Sequence, residues 1–316
     1  MNYLEQEIEM EADGQYGADV PLSISSALLR HLNETARPCV RMAIEGASAS
    51  VGAPPQWLER ASDIRTLGFG HREGRSVLHL KAPTLGEAAP ELFEQQRLWP
   101  GIASPNDTAL QLIGKVSFVV RRQEEASDMY DQPLLKHFTH WGKLFKRRVR
   151  HLNMPAAYGS TASTPVTLDM KVVENAHLLS DQTPAPRQVR VVGKLDMVRH
   201  STRSFGLMLD NGEEVRGVLQ EADPSLLQEY FGRTITVFGK AIYRPSGSLL
   251  RIDAQELLDT SEGRVAFGFV PAALSGNPRS ERKAQTAKTG VAAFFGTWPG
   301  DETDDELLAA LGELRR

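Results

Sequence analysis

Cysteine is almost missing: Cys39 is the only one in 316 residues, so no disulfide can form within the chain. A lone thiol without covalent staples fits a reducing compartment, where it usually serves as a small apolar filler. No apolar run approaches the roughly 20 residues of a membrane span. The opening stretch MNYLEQEIEMEADG is acidic and has neither the basic nor the apolar segment of a secretory leader, so the expected location is the cytoplasm, away from membranes. Signatures of chemistry are missing as well. There is no Walker A loop, no glycine-rich dinucleotide fingerprint, no His-Glu-x-x-His, no cysteine pair for zinc and no nucleophile elbow. His137, His140 and His151 are close in sequence, but their spacing does not put three imidazoles on one ligand face, and basic neighbours oppose a metal ion. The expectation is a non-enzymatic protein with no catalytic residue, metal or cofactor.

A hydrophobic share of 41% supports real cores, and the length suits two domains. The formal net charge of −4 argues against a protein that coats DNA, while leaving room for a local basic face.

The best-patterned stretch runs from Arg187 to about Leu258. Val189, Val191, Leu195 and Met197 alternate with polar residues, with a bend expected at Gly193. Phe205, Leu207 and Leu209 lead to Asn211-Gly212, a pair suited to a tight type I′ hairpin, and Val215, Gly217 and Leu219 return. A short helix is expected after Asp223-Pro224, with Leu226, Leu227, Tyr230 and Phe231 inward and a stop at Gly232. Strands over Thr234–Tyr243 and Leu249–Ala254 close the series. Three strands, a helix and two strands resemble a five-stranded barrel of the oligonucleotide/oligosaccharide-binding (OB) kind.

Before it, Leu4, Ile8, Met10 and Ala12 alternate with Glu5, Glu7, Glu9 and Glu11, which predicts a strand whose acidic row guards a sheet edge. A helix from Pro21 is expected to end at Pro38, with a strand over 37–45. A short helix at Trp57 and a hairpin over 63–82, turning at His71–Gly74, follow. Residues 86–152 take a helical period, with Asn106 or Asp107 as one cap. From Pro133, Leu134, Phe138, Trp141, Phe145 and Leu152 form one helical face, and Lys136, His140, Lys143, Lys146, Arg147 and Arg150 the other. The apolar stripe reads first as core, and the basic face would suit phosphate.

The turn-forming stretch 153–166 is expected to link an N-terminal α+β and helical domain, 1–152, to an OB-like barrel domain, 167–272. VTLDMKV fits either a helix capped by Thr167 or a strand. RVAFGFVPAAL is expected to add a last strand. Residues 273–293 read as a flexible basic tether, and 294–316 as a partner-binding segment.

That final segment, with Thr303 and Glu306 as a capping box, reads TWPGDETDDELLAAL and ends in Arg315-Arg316. It resembles the neutralising tails of bacterial antitoxins that hold PIN-domain ribonuclease toxins. The chain as a whole also resembles a bacterial protein family to which no activity is attached. The antitoxin resemblance implies that Phe294, Phe295, Trp298, Leu307, Leu308, Leu311, Leu314 and Arg315 grip a small PIN-domain ribonuclease. No DNA-binding element typical of such antitoxins is present. The rival reading is a single-stranded nucleic-acid-binding OB protein whose acidic tail recruits another factor. Its contacts would come from Arg190, Lys194, Arg199, Arg203, Arg216 and Lys240, with Phe238 as the clear outward ring.

Overall fold

The computed structural model describes residues 2–50, 52–93, 103–147, 149–155, 166–220, 223–259 and 268–273. Strand β1 (Tyr3–Ala12) buries Gln6, Ile8 and Met10 and turns its glutamates outward. With β2 (Arg65–Arg72), β3 (Arg75–Pro83), β4 (Val149–Met154) and β5 (Val166–Asp169) it forms an antiparallel sheet of order β2-β3-β1-β4-β5. The acidic row therefore runs down the centre of the sheet and guards no edge. It is matched across the sheet instead: Arg72 of β2 meets Glu7 at 2.7 Å, Arg75 of β3 meets Glu9 at 3.5 Å and Arg150 of β4 meets Glu11 at 3.6 Å. The β2–β3 turn is made by Glu73 and Gly74, both at positive φ (51° and 82°), as a two-residue type I′ turn requires.

Helices α1 (Leu22–Glu45), α2 (Gln56–Ala61), α3 (Leu85–Ala88), α4 (Ala109–Arg121), α5 (Gln132–His140), α6 (Gly142–Phe145) and α7 (Met170–Gln182) accompany this sheet. The helix expected to stop at Pro38 runs through it, and no strand forms over 37–45. Burial explains why: Leu28, Leu32, Thr35, Ala36, Cys39, Val40 and Met42 keep a helical period across the proline, so packing outweighs its one missing N–H. Thr108, not Asn106 or Asp107, caps α4, in a reciprocal box with Gln111. Asp107 instead meets Lys115 at 2.6 Å. The long helix expected from Pro133 is broken into α5, α6 and strand β4, yet Leu134, Phe138, Trp141, Phe145 and Leu152 are all buried as core. Both readings of VTLDMKV occur in succession. The strand β5 comes first, and Asp169 rather than Thr167 then caps α7 by accepting from the Val172 N–H at 3.2 Å. Leu168, Val172, Val173, Ala176 and Leu179 join the first core, so 167–182 packs with the N-terminal layer.

The barrel is built from β6 (Arg187–Arg199), β7 (Ser204–Met208), β8 (Glu214–Leu219), α8 (Ser225–Glu229), β9 (Thr234–Tyr243) and β10 (Leu249–Asp259). It closes in the order β10-β8-β7-β6-β9, with β8 and β10 parallel and the other pairs antiparallel. This order is compatible with an OB-like barrel. Val189, Val191, Leu195, Phe205, Leu207, Val237 and Ile252 fill the interior. Phe205 lies over Gly217 so closely that a Cβ there would come within 2.1 Å of the ring. The β7–β8 turn is not type I′: Gly212 alone has positive φ, and the Leu209 N–H reaches the Glu213 carbonyl at 2.9 Å across a longer loop. Phe231 is 58% exposed rather than inward, because α8 ends before it. Residues 268–273 form no strand; Val270 and Ala273 pack on the barrel core as irregular chain.

Barrel and first layer meet at a buried ion pair. Asp131, fully buried at the start of α5, accepts from the Leu134 N–H, from Ser48 N–H and Oγ, and from Arg251 Nη2 of β10 at 3.1 Å. Arg251 also donates to the Gly46 carbonyl at the end of α1 and to Asp253. Nearby, Asp128 receives both Arg216 and Arg244, and Leu250 enters the first core. Met1–Ser275 form one compact unit. Arg251→Met leaves Asp131 a buried charge without its cation and is expected to cost about 3–5 kcal/mol. Urea unfolding checks this; a midpoint equal to that of the parent would show that the pair does not stabilise the joint.

Candidate nucleic-acid interface

OB barrels commonly bind ligands on the outer face of their second and third strands and in the adjoining loops. In this chain the first layer occupies much of that ground. Arg199, at the start of the β6–β7 loop, donates to the Leu92 carbonyl. Arg216, on β8, meets Asp128 at 3.1 Å. Arg244 and Ser246 of the β9–β10 loop reach Asp128 and the Glu125 carbonyl. Arg203 stays exposed, at a left-handed φ of 53°.

The other half of the expected basic set lies on a different wall. Pairing of β6 with β9 sets Arg190 opposite Phe238, Gln188 opposite Lys240 and Lys194 opposite Thr234. Alternation sends Arg190, Lys194, Phe238 and Lys240 outward while Val189, Val191 and Val237 go in. The six arginines and lysines therefore split: Arg190, Lys194 and Lys240 share this wall, whereas Arg199, Arg203 and Arg216 lie elsewhere.

Along the β6–β9 wall runs an open groove of about 350 Å³, lined by Arg187, Gln188, Val189, Arg190, Phe238, Phe269 and Pro271. Phe238 is 37% and Phe269 52% exposed. Buried within the arginine, the Nε of Arg190 has no hydrogen-bond partner among the described residues. The segment that carries Phe269 is tied down. Tyr243 Oη donates to the Pro271 carbonyl at 2.8 Å, and Arg187 Nη1 donates to the Ala272 carbonyl at 3.3 Å. Phe269 and Arg187 escape a sequence reading because 264–274 resembles a strand and Arg187 precedes the alternating run. Phe294, Phe295, Trp298, Leu307, Leu308, Leu311, Leu314 and Arg315 lie outside the described residues.

A second, wider cleft of about 650 Å³ is lined by Leu4, Glu5, Gln6, Glu7, Leu67, Phe69 and His79 among others. Its Glu7 is held below the usual carboxylate range by the Arg72 hydrogen bond, which leaves it an ion-pair partner rather than a base. Among the described residues no group of three metal-capable side chains converges, and no helix is long and apolar enough to cross a membrane.

Two histidines on α1 and α5 are shifted. Burial pushes His31 down, opposed by Glu34 and reinforced by Arg30, His140 and Lys143; burial also pushes His137 down, helped by His140. A depressed histidine binds its proton more weakly folded than unfolded, so stability is fully present above the ordinary value of about 6.5 and falls as pH drops through the folded one. Urea midpoints between pH 8 and 5 are expected to decline below about 6.5, and His31→Leu to make the decline shallower. An unchanged slope in that variant would place the effect elsewhere.

Comparison with models of protein families, with curated proteins and with solved structures finds no match in any of the three.

Proposed function

We propose that this chain is a non-enzymatic nucleic-acid-binding protein that holds a single strand along the β6–β9 wall of its barrel. What carries the reading is one open groove lined by two partly exposed rings, Phe238 and Phe269, together with Arg190. Aromatic faces stack on any base, and guanidinium groups meet the phosphates between them. Lys240 and Lys194 extend the positive charge along the same wall. Replacing both Phe238 and Phe269 by Ala is expected to weaken binding of a labelled oligo-dT by about 1–3 kcal/mol per ring, read by fluorescence anisotropy at fixed salt. A double variant that binds like the parent removes the groove as the site.

A second reading rests on the sequence of the tail. Its Phe294, Phe295 and Trp298, followed by the acidic turn and the leucine stripe, support an antitoxin-like role against a PIN-type ribonuclease. Full-length chain is then expected to retain a small PIN-domain nuclease in a pull-down, and a chain ending at Gly290 to lose it. Equal recovery by both baits would reject the tail as the recognition element.

A further inference from the structure

The face made by α1, α5 and α6 is separate from the barrel groove. Lys136, His140, Lys143 and Arg147 follow one another at i, i+4, i+7 and i+11, and all four are exposed. The spacing survives the break between α5 and α6, because Trp141 keeps helical angles (φ −61°, ψ −20°), as does Lys146 (φ −67°, ψ −11°). The helix α1 packs against both. Arg147 donates to the Ser23 carbonyl at 2.9 Å, and Arg30 joins the field felt by His31 together with His140 and Lys143.

Two further observations set this face apart. Arg72, Arg75 and Arg150 on the open sheet are each matched by glutamates, whereas Arg30, Lys136, Lys143, Lys146 and Arg147 form no ion pair among the described residues. Glu34 lies 3.9 Å from His31, and both Glu34 and Asp131 act on His137. His31 itself is only 3% exposed and stacks on Trp141 at 5.4 Å, and its Nε2 lacks a hydrogen-bond partner among the described residues.

From this geometry we infer a second binding surface, shaped for the phosphate backbone of a nucleic acid and made of Arg30, Lys136, Lys143, Lys146 and Arg147. Its length argues for a polymer over a small anion. Eleven residues of helix rise about 16 Å, which faces about five phosphates of one strand at about 3.4 Å each along the axis. A small anion would touch only one or two of these cations. A bilayer would need apolar anchors as well, but Phe138, Trp141, Leu144 and Phe145 are already buried, and among the described residues of α1, α5 and α6 Leu22 is the one large apolar side chain left exposed.

The inference does not rest on the barrel groove, and a blunt 20-base-pair DNA duplex, whose bases are closed to stacking, separates the two. Anisotropy of the labelled duplex would be measured against salt for the full chain and for a variant with Lys136, Lys143 and Lys146 all changed to Glu. A matching Gln variant guards against effects of charge reversal on folding. Loss of three phosphate contacts should make the log–log salt slope shallower by about 2–3 and weaken low-salt binding about 100-fold or more. The Phe238→Ala, Phe269→Ala chain should bind the duplex like the parent. The inference is overturned if the parent does not bind the duplex, if both lysine variants keep its slope, or if losing the two rings abolishes duplex binding. It is overturned equally if the lysine variants lose binding to phosphatidylglycerol vesicles while duplex binding is untouched. Oligo-dT binding that still needs the rings would leave the barrel reading standing in each case.

Discussion

Asp131 holds this architecture together because one buried carboxylate serves three elements at once. It caps α5, fixes the loop after α1 through Ser48, and receives the guanidinium of Arg251 from the last barrel strand. A carboxylate so deeply buried is tolerable only with several donors and a cation in place. The barrel is thus locked to the layer in front of it by groups that neither half could bury alone. Asp128, gathering Arg216 and Arg244, repeats the arrangement at the joint's more exposed side.

This joint also determines which barrel surface remains open. Loops and strands that many OB barrels turn toward ligands are here engaged with Leu92, Glu125 and Asp128. What is left is the β6–β9 wall, where strand register brings Arg190 beside Phe238 and the segment after the barrel adds Phe269. The groove itself is lined by residues of β6, β9 and the segment after the barrel.

Charge is distributed with the same logic. On the open sheet, Glu7, Glu9 and Glu11 of β1 meet Arg72, Arg75 and Arg150. On α5 and α6 the helical period sends every large apolar side chain inward, and Lys136, Lys143, Lys146 and Arg147 on the other face are exposed and form no ion pair among the described residues. A chain of net charge −4 can carry such a local basic field because its acids are spent elsewhere.

Local patterns in the sequence were enough to determine β1, the β2–β3 hairpin, the chain order of the barrel strands and most inward positions, since alternation and helical period are properties of neighbouring residues, although Leu4 and Phe231 are exposed and a register shift after Leu195 leaves Met197 out of the barrel core. They also marked Arg190, Lys194, Lys240 and Phe238 as outward. Tertiary structure decided what neighbours cannot: that α1 continues through Pro38 because packing on both sides of it outweighs one lost hydrogen bond, and that the acidic strand is central. It also decided that Arg199 and Arg216 are occupied by the first layer, and that Phe269 completes the groove. Each of those outcomes depends on residues far apart in the chain, and their contact energies are invisible until the fold brings them together.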